Sequence, residues 1–143
     1  MLASAITIVM IEDDEGHSRL IEKNIRRAGI NNEIMTFRTG QEGTRYIRDA
    51  VTRLSRAILL LLDINLPDVS GIDILAELKQ NKETARIPVI VLTTTDDREE
   101  ISRCYDLGCN VYVTKPVAID SFSQAVRQLG LFLTIIQIPD LAN

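Results

Sequence analysis

An unbroken apolar run at residues 57–62 ends abruptly at the carboxylate of Asp63. A run this short, without polar alternation, is typical of a strand buried on both faces, as in a parallel sheet covered by helices. Ligands of such sheets bind at the carboxyl ends of the strands, which is the place that Asp63 occupies. Asp63 is therefore a candidate nucleophile, although the Asn65 and Pro67 that follow also suit an aspartate that only caps a turn.

Strand and helix patterns alternate five times along the chain. The predicted strands are residues 6–11, 33–37, 57–62, 88–92 and 111–114. Helical patterns follow each of them, and Asp96 with Glu99 resembles a capping pair at the start of the fourth. This alternation predicts an α/β fold, a doubly wound five-stranded parallel sheet in the order 2-1-3-4-5.

The composition excludes several classes of protein. With 143 residues, of which 45% are apolar and 25% charged, the chain fits one globular domain. A net charge of −4 does not favour binding to nucleic acid or to an anionic membrane surface. No segment predicts a membrane span or a signal peptide, so a cytoplasmic location is expected. Cys104 and Cys109 form no metal motif or disulfide framework and are expected to be packing positions.

Polar side chains stand at the carboxyl ends of four strands that the predicted order makes neighbours. They are Glu12, Asp13, Asp14, Asp63, Thr93 and Lys115. Because these strand ends meet at one edge of the sheet, we expect a single pocket there. Carboxylates crowded in it repel one another, and oxygen ligands without His or Cys favour a hard cation, Mg²⁺ or Mn²⁺. The Lys115 ammonium and the Thr93 hydroxyl would then suit the pocket to a phosphoryl group.

Four strand ends occur in order along the chain: one followed by the acidic pair Glu12-Asp13, one at Asp63, one at Thr93 and one at Lys115. In this order and spacing, residues 6–130 resemble the receiver domains of two-component response regulators. The resemblance implies a flavodoxin-like receiver fold and a phosphoryl group passed to Asp63 from the phosphohistidine of a sensor histidine kinase. It also implies a metal site in which Asp13 is the main carboxylate beside Asp63. Glu12 would act through a metal-bound water, and Asn65 would offer its backbone carbonyl.

The same resemblance implies a switch and no enzymatic turnover beyond the chain's own phosphorylation and dephosphorylation. Thr93 would bond a phosphoryl oxygen, Lys115 would pair with the phosphate, and Tyr112 would be the aromatic residue that changes position. Thr94 is a rival for the hydroxyl role, and register favours Thr93. Asp14 is left without a role and is expected to face water. The chain also resembles the small stand-alone regulators that accompany bacterial phytochromes and related sensor kinases, which suggests a bacteriophytochrome as the partner kinase.

The last residues are more apolar than a receiver domain needs. We therefore expect a receiver domain at residues 1–130 and a C-terminal extension at 131–143, which forms a homodimer as an extended arm or as a longer last helix. A last helix folded back on its own core is the alternative. No sequence remains for a DNA-binding or catalytic output domain, so the expected output is contact with another molecule or the return of phosphate within a relay.

Other functions fit the residues less well. A haloacid-dehalogenase-like phosphatase would need an acid two positions after the nucleophile, where Asn65 stands. A flavin-binding flavodoxin would need a phosphate-cradling loop after the first strand, where the acidic residues repel phosphate. A degenerate receiver that acts only as a dimerising interaction module is the remaining alternative, and the presence of Asp13, Asp63, Thr93 and Lys115 disfavours it.

Overall fold

Five parallel strands form one sheet in the order β2-β1-β3-β4-β5, which confirms the predicted order. The computed structural model describes residues 6–53, 57–94, 97–114 and 124. The strands are β1 (Ile6–Ile11), β2 (Ile34–Phe37), β3 (Ala57–Asp63), β4 (Val89–Thr93) and β5 (Val111–Thr114). The helices are α1 (Glu15–Arg27), α2 (Gly40–Arg53), α3 (Gly71–Gln80) and α4 (Arg98–Leu107). The predicted fifth helix and the C-terminal extension lie outside the described residues.

The apolar run of β3 is buried from end to end because helices cover both faces of the sheet. Leu59 and Leu61 pack in one core cluster with α1, whereas Leu60 and Leu62 pack in a second cluster with α2 and α3. Successive side chains of a strand point to opposite faces, so both sets need apolar residues. None of the helices in the described part of the chain combines the length and apolar character needed to span a bilayer.

Helix α4 begins one residue later than the capping prediction required. The N-cap is Asp97, whose side chain accepts a hydrogen bond from the Glu99 N–H at 3.1 Å, so the choice of Asp96 was wrong. Each of the two adjacent aspartates has a glutamate three positions later, and spacing alone did not distinguish them.

The two cysteines lie together at the end of α4. Gly108 adopts a left-handed conformation with φ of 109°, and the Cys109 N–H donates to the Cys104 carbonyl at 3.0 Å. Both thiols are free and buried, and burial raises the pKa of Cys109 to about 12. Since the thiolate is the reactive form, these residues serve packing, as the sequence predicted.

Asp68, in the loop after β3, caps the N-terminus of α2. Its two carboxylate oxygens accept hydrogen bonds from the N–H groups of Gly40 at 2.8 Å and Gln41 at 2.9 Å. These backbone bonds, Gly40 first, lower the pKa of Asp68 from its ordinary value. The capped helix and the loop that follows Asp63 are therefore held to each other.

We expect Asp68→Asn to lower the free energy of unfolding near neutral pH, because an amide oxygen replaces only part of the charged cap. A depressed folded-state pKa means that the stabilisation is present above the ordinary pKa and is lost as the pH falls through the folded-state value. The difference between wild type and Asp68→Asn should therefore shrink in acid, as urea denaturation at several pH values will measure. Asp49→Asn, at an exposed position of α2, is the matched control. A difference that does not change with pH would contradict this.

Candidate functional site

Three carboxylates meet where β1 and β3 end. Glu12, Asp13 and Asp63 each place one carboxylate oxygen within 4.8 Å of the others. The register pairs Ile11 with Leu62, so the residues that follow these two emerge side by side at one edge of the sheet. Glu12 and Asp63 are buried, and Asp13 is half-buried. The structure thus brings together the three carboxylates predicted for the metal site.

A cavity of about 180 Å³ opens over this cluster. Its lining residues are Glu12, Asp13, Asp14, His17, Asp63, Asn65 and Thr94. The three clustered carboxylates fit Mg²⁺ or Mn²⁺, because hard cations prefer oxygen ligands and would offset the repulsion between the acids. The cavity can therefore hold a hydrated divalent cation and admit a small anionic group beside Asp63.

Asn65 connects the end of β3 with the end of β4. Its backbone N–H donates to Oδ1 of Asp63 at 3.1 Å, and its side-chain Nδ2 donates to Oγ1 of Thr93 at 3.4 Å. The sequence had assigned Asn65 only a backbone carbonyl role, so this side-chain contact was missed. Thr93 is completely buried whereas Thr94 is exposed on the cavity rim, which separates the two rival hydroxyls by environment.

Asp14 and His17 organise the entrance to α1, and sequence reasoning missed both roles. The Asp14 N–H donates to Oε2 of Glu12 at 3.1 Å, and its carboxylate caps α1 by accepting from the His17 N–H at 3.0 Å. The His17 Nδ1 lies 3.9 Å from Oε1 of Glu12. Asp14 is exposed, as predicted, yet it is the helix cap. An Asp directly before a helical pattern was the available signal.

The loop after Asp63 closes tightly onto the start of α3. The Gly71 N–H donates to the Ile64 carbonyl at 2.8 Å. A Cβ atom added at Gly71 would lie 2.3 Å from the carbonyl oxygen of Asp63 and 2.6 Å from Cα of Ile64. Only glycine lets α3 begin this close to the backbone of the candidate nucleophile.

The remaining predicted site residues are placed only in part. Tyr112 lies half-buried on the edge strand β5, where its N–H donates to the hydroxyl of Tyr105 at 3.1 Å. Lys115, predicted to pair with the phosphate, lies outside the described residues. The described residues therefore include the three carboxylates and Thr93 of the predicted site, and the role of Lys115 stays a prediction.

Comparison with known proteins identifies the same fold. The family model for the response regulator receiver domain matches residues 8–127. A receiver domain of known crystal structure from Rhodospirillum rubrum is 61% identical, with 90% of this chain and 94% of that chain covered and a TM-score of 0.75.

Two relatives are named in connection with a metal or with light signalling. Response regulator Rcp1 of Synechocystis sp. is 32% identical over 127 residues, covering 87% of this chain and 86% of that protein. Its Mn²⁺-bound crystal structure superimposes with a TM-score of 0.71 at 31% identity, covering 86% of this chain and 90% of that chain. The phosphorylated cyanobacterial phytochrome response regulator RcpA is 35% identical, covering 90% and 93% of the two chains with a TM-score of 0.73.

Proposed function

Because the chain belongs to the response regulator receiver domain family of two-component signalling, we propose that it accepts a phosphoryl group on Asp63 from a sensor histidine kinase. The observation that carries this proposal is the buried Asp63 carboxylate at the centre of the acidic cluster with Glu12 and Asp13. A structural aspartate at a strand end does not need two further acids beside it, since their charges oppose folding unless a cation binds.

The proposed transfer is an in-line displacement at phosphorus. A carboxylate oxygen of Asp63 forms the new P–O bond as the P–N bond of the phosphohistidine breaks, and the kinase imidazole leaves and takes up a proton. The hydrogen bond from the Asn65 N–H fixes Oδ1 of Asp63 and so orients the carboxylate for attack. Mg²⁺ or Mn²⁺, when bound, neutralises charge on the phosphoryl oxygens. Asp13 and Asp63 would hold the cation directly, Glu12 through a water, and Asn65 through its carbonyl.

We propose that the buried Thr93 hydroxyl then bonds a phosphoryl oxygen, which requires its contact with Asn65 to loosen. The phosphoryl group adds roughly 1.5 to 2 negative charges at one point, enough to bias a two-state equilibrium. Tyr112 and the surface formed by α4 and β5 would change with it, and Lys115 would pair with the phosphate.

A bacteriophytochrome is the proposed kinase, supported by the likeness to RcpA, which is named as a phytochrome response regulator. The homodimer through residues 131–143, the stand-alone output and the cytoplasmic location stay predictions.

The direct test is incubation with Mg²⁺ and a small acyl phosphate donor, followed by intact-mass analysis. We expect one phosphoryl group on the wild type, sensitive to hydroxylamine, and none on Asp63→Asn. Asp73→Asn, an exposed aspartate of the neighbouring helix, should be labelled like the wild type. Equal labelling of Asp63→Asn would overturn the assignment. An unlabelled wild type would favour the interaction-module alternative.

A further inference from the structure

We propose that His17 is a positioning residue that holds Glu12 in its metal-binding orientation, an inference that rests on the proposed metal-dependent function. Nothing in the sequence patterns pointed to this histidine. It lines the cavity over the acidic cluster, with Nδ1 3.9 Å from Oε1 of Glu12. The Glu12 side chain is only 1% exposed, whereas the His17 side chain is 44% exposed. The buried acid therefore lies beside a partly exposed imidazole at the cavity wall.

The two carboxylate oxygens of Glu12 face two different groups at the start of α1, one on the cap residue Asp14 and one on His17. Oε2 accepts from the Asp14 N–H at 3.1 Å, and Oε1 faces the His17 ring. A separation of 3.9 Å is longer than a direct hydrogen bond, and either a small rotation of the ring or one bridging water would complete it. Together the two contacts restrict the rotation of the carboxylate.

The position of the ring is itself built into the helix start. The Asp14 carboxylate accepts from the His17 N–H at 3.0 Å, which fixes the residue that carries the ring. Thus Asp14 holds Glu12 through its backbone and places His17 through its side chain.

A glutamate has one more rotatable bond than an aspartate, so it loses more conformational freedom when it binds a cation. Groups that orient a ligand from behind commonly change metal affinity even though they do not touch the metal. The His17 ring, beside Oε1 of Glu12, is a group of this kind. Its removal should weaken metal binding rather than unfold the protein.

The experiment measures Mn²⁺ binding by electron paramagnetic resonance, with all variants in the same buffer at one fixed pH. We expect His17→Leu to raise the Mn²⁺ dissociation constant about three- to tenfold. Because the contact with Glu12 is long, this effect is at or below the low end for residues that orient a metal ligand without touching the metal. His17→Asn keeps a nitrogen donor near the position of Nδ1 and should restore affinity to within about twofold of wild type. Ser18→Ala, on the same helix turn but outside the cavity, is the matched control.

The same His17→Leu substitution made in a Glu12→Asp variant shows whether the ring acts by positioning Glu12 or affects Mn²⁺ binding in some other way. In Glu12→Asp the shorter side chain withdraws from His17, so His17→Leu should cause no further loss beyond about twofold. An equal loss in both backgrounds would overturn the inference, as would His17→Leu binding as tightly as wild type or His17→Asn binding as weakly as His17→Leu. Thermal midpoints within error of wild type show that the variants fold.

These binding measurements need no phosphodonor. If Asp63 is not phosphorylated but the Mn²⁺ dissociation constants of the variants change as expected, the proposed function alone is contradicted. Normal labelling with unchanged Mn²⁺ affinity in His17→Leu would remove only the role of His17.

Discussion

Asp13→Asn is expected to slow Mg²⁺-dependent phosphoryl uptake by at least about 100-fold, corresponding to roughly 2.7 kcal/mol of lost stabilisation. Asp13 is half-buried beside Asp63, and its carboxylate belongs to the cluster that would hold the cation. An amide is a poorer ligand for a hard cation and offers no charge to balance it. The rate of phosphoryl incorporation, measured against Mg²⁺ concentration, should therefore stay low until Mg²⁺ is far above its wild-type saturation.

Asp14→Asn provides a matched control next to this position, because it removes the same charge from the same loop. Asparagine is as good an N-cap as aspartate, so α1 should begin as before. The hydrogen bond from residue 14 to Glu12 comes from the backbone and is kept. We expect the rate of phosphoryl uptake to stay within about threefold of wild type, because removing one charge that is exposed to water changes the electrostatic energy of the cavity only slightly. Equal losses in the two variants would show that only the net charge of the cavity matters.

The convergence of the acidic residues was predictable because it depends on sheet topology. Alternating strand and helix patterns limit the strand order, and the order places β1 beside β3. Once β3 is recognised as a strand that ends at Asp63, the position of Glu12 and Asp13 beside it follows from register alone. These inferences use only periodicity and the ends of apolar runs, which are the strongest signals in a sequence.

The contacts that orient the cluster were not predictable in the same way. Asp14 acts through a helix cap and Asn65 through a side-chain amide that reaches Thr93, and both depend on local loop geometry. The choice between Asp96 and Asp97 failed for the same reason, since the sequence spacing suits both. Periodicity places a residue at the end of an element, but the rotation of the chain in the next two residues decides what its side chain contacts.

Gly71→Ala is expected to lower the free energy of unfolding by about 3 kcal/mol or more, at the upper end of the cost of overpacking. The added methyl carbon would lie 2.3 Å from the Asp63 carbonyl oxygen and 2.6 Å from Cα of Ile64. Both atoms are backbone, so no side-chain rotation relieves the clash. Either α3 moves away and the hydrogen bond from Gly71 to Ile64 breaks, or the end of β3 shifts and Asp63 moves with it. Urea denaturation measures the loss.

The loss of phosphoryl uptake in Gly71→Ala should exceed what its unfolded fraction explains. Uptake measured at low temperature, where circular dichroism shows the variant folded, should still fall about tenfold, since small misplacements of a nucleophile are costly. Gly16→Ala adds the same methyl group at the start of α1, where its nearest neighbour in the described chain is Oδ1 of Asp14 at 3.2 Å. A shift of this side chain by a few tenths of an ångström accommodates the methyl group while the cap to the His17 N–H is kept. Helix propensity favours that change by about 1 kcal/mol, so stability and uptake should be kept. Wild-type uptake by folded Gly71→Ala would show that the loop after Asp63 relaxes without moving the nucleophile.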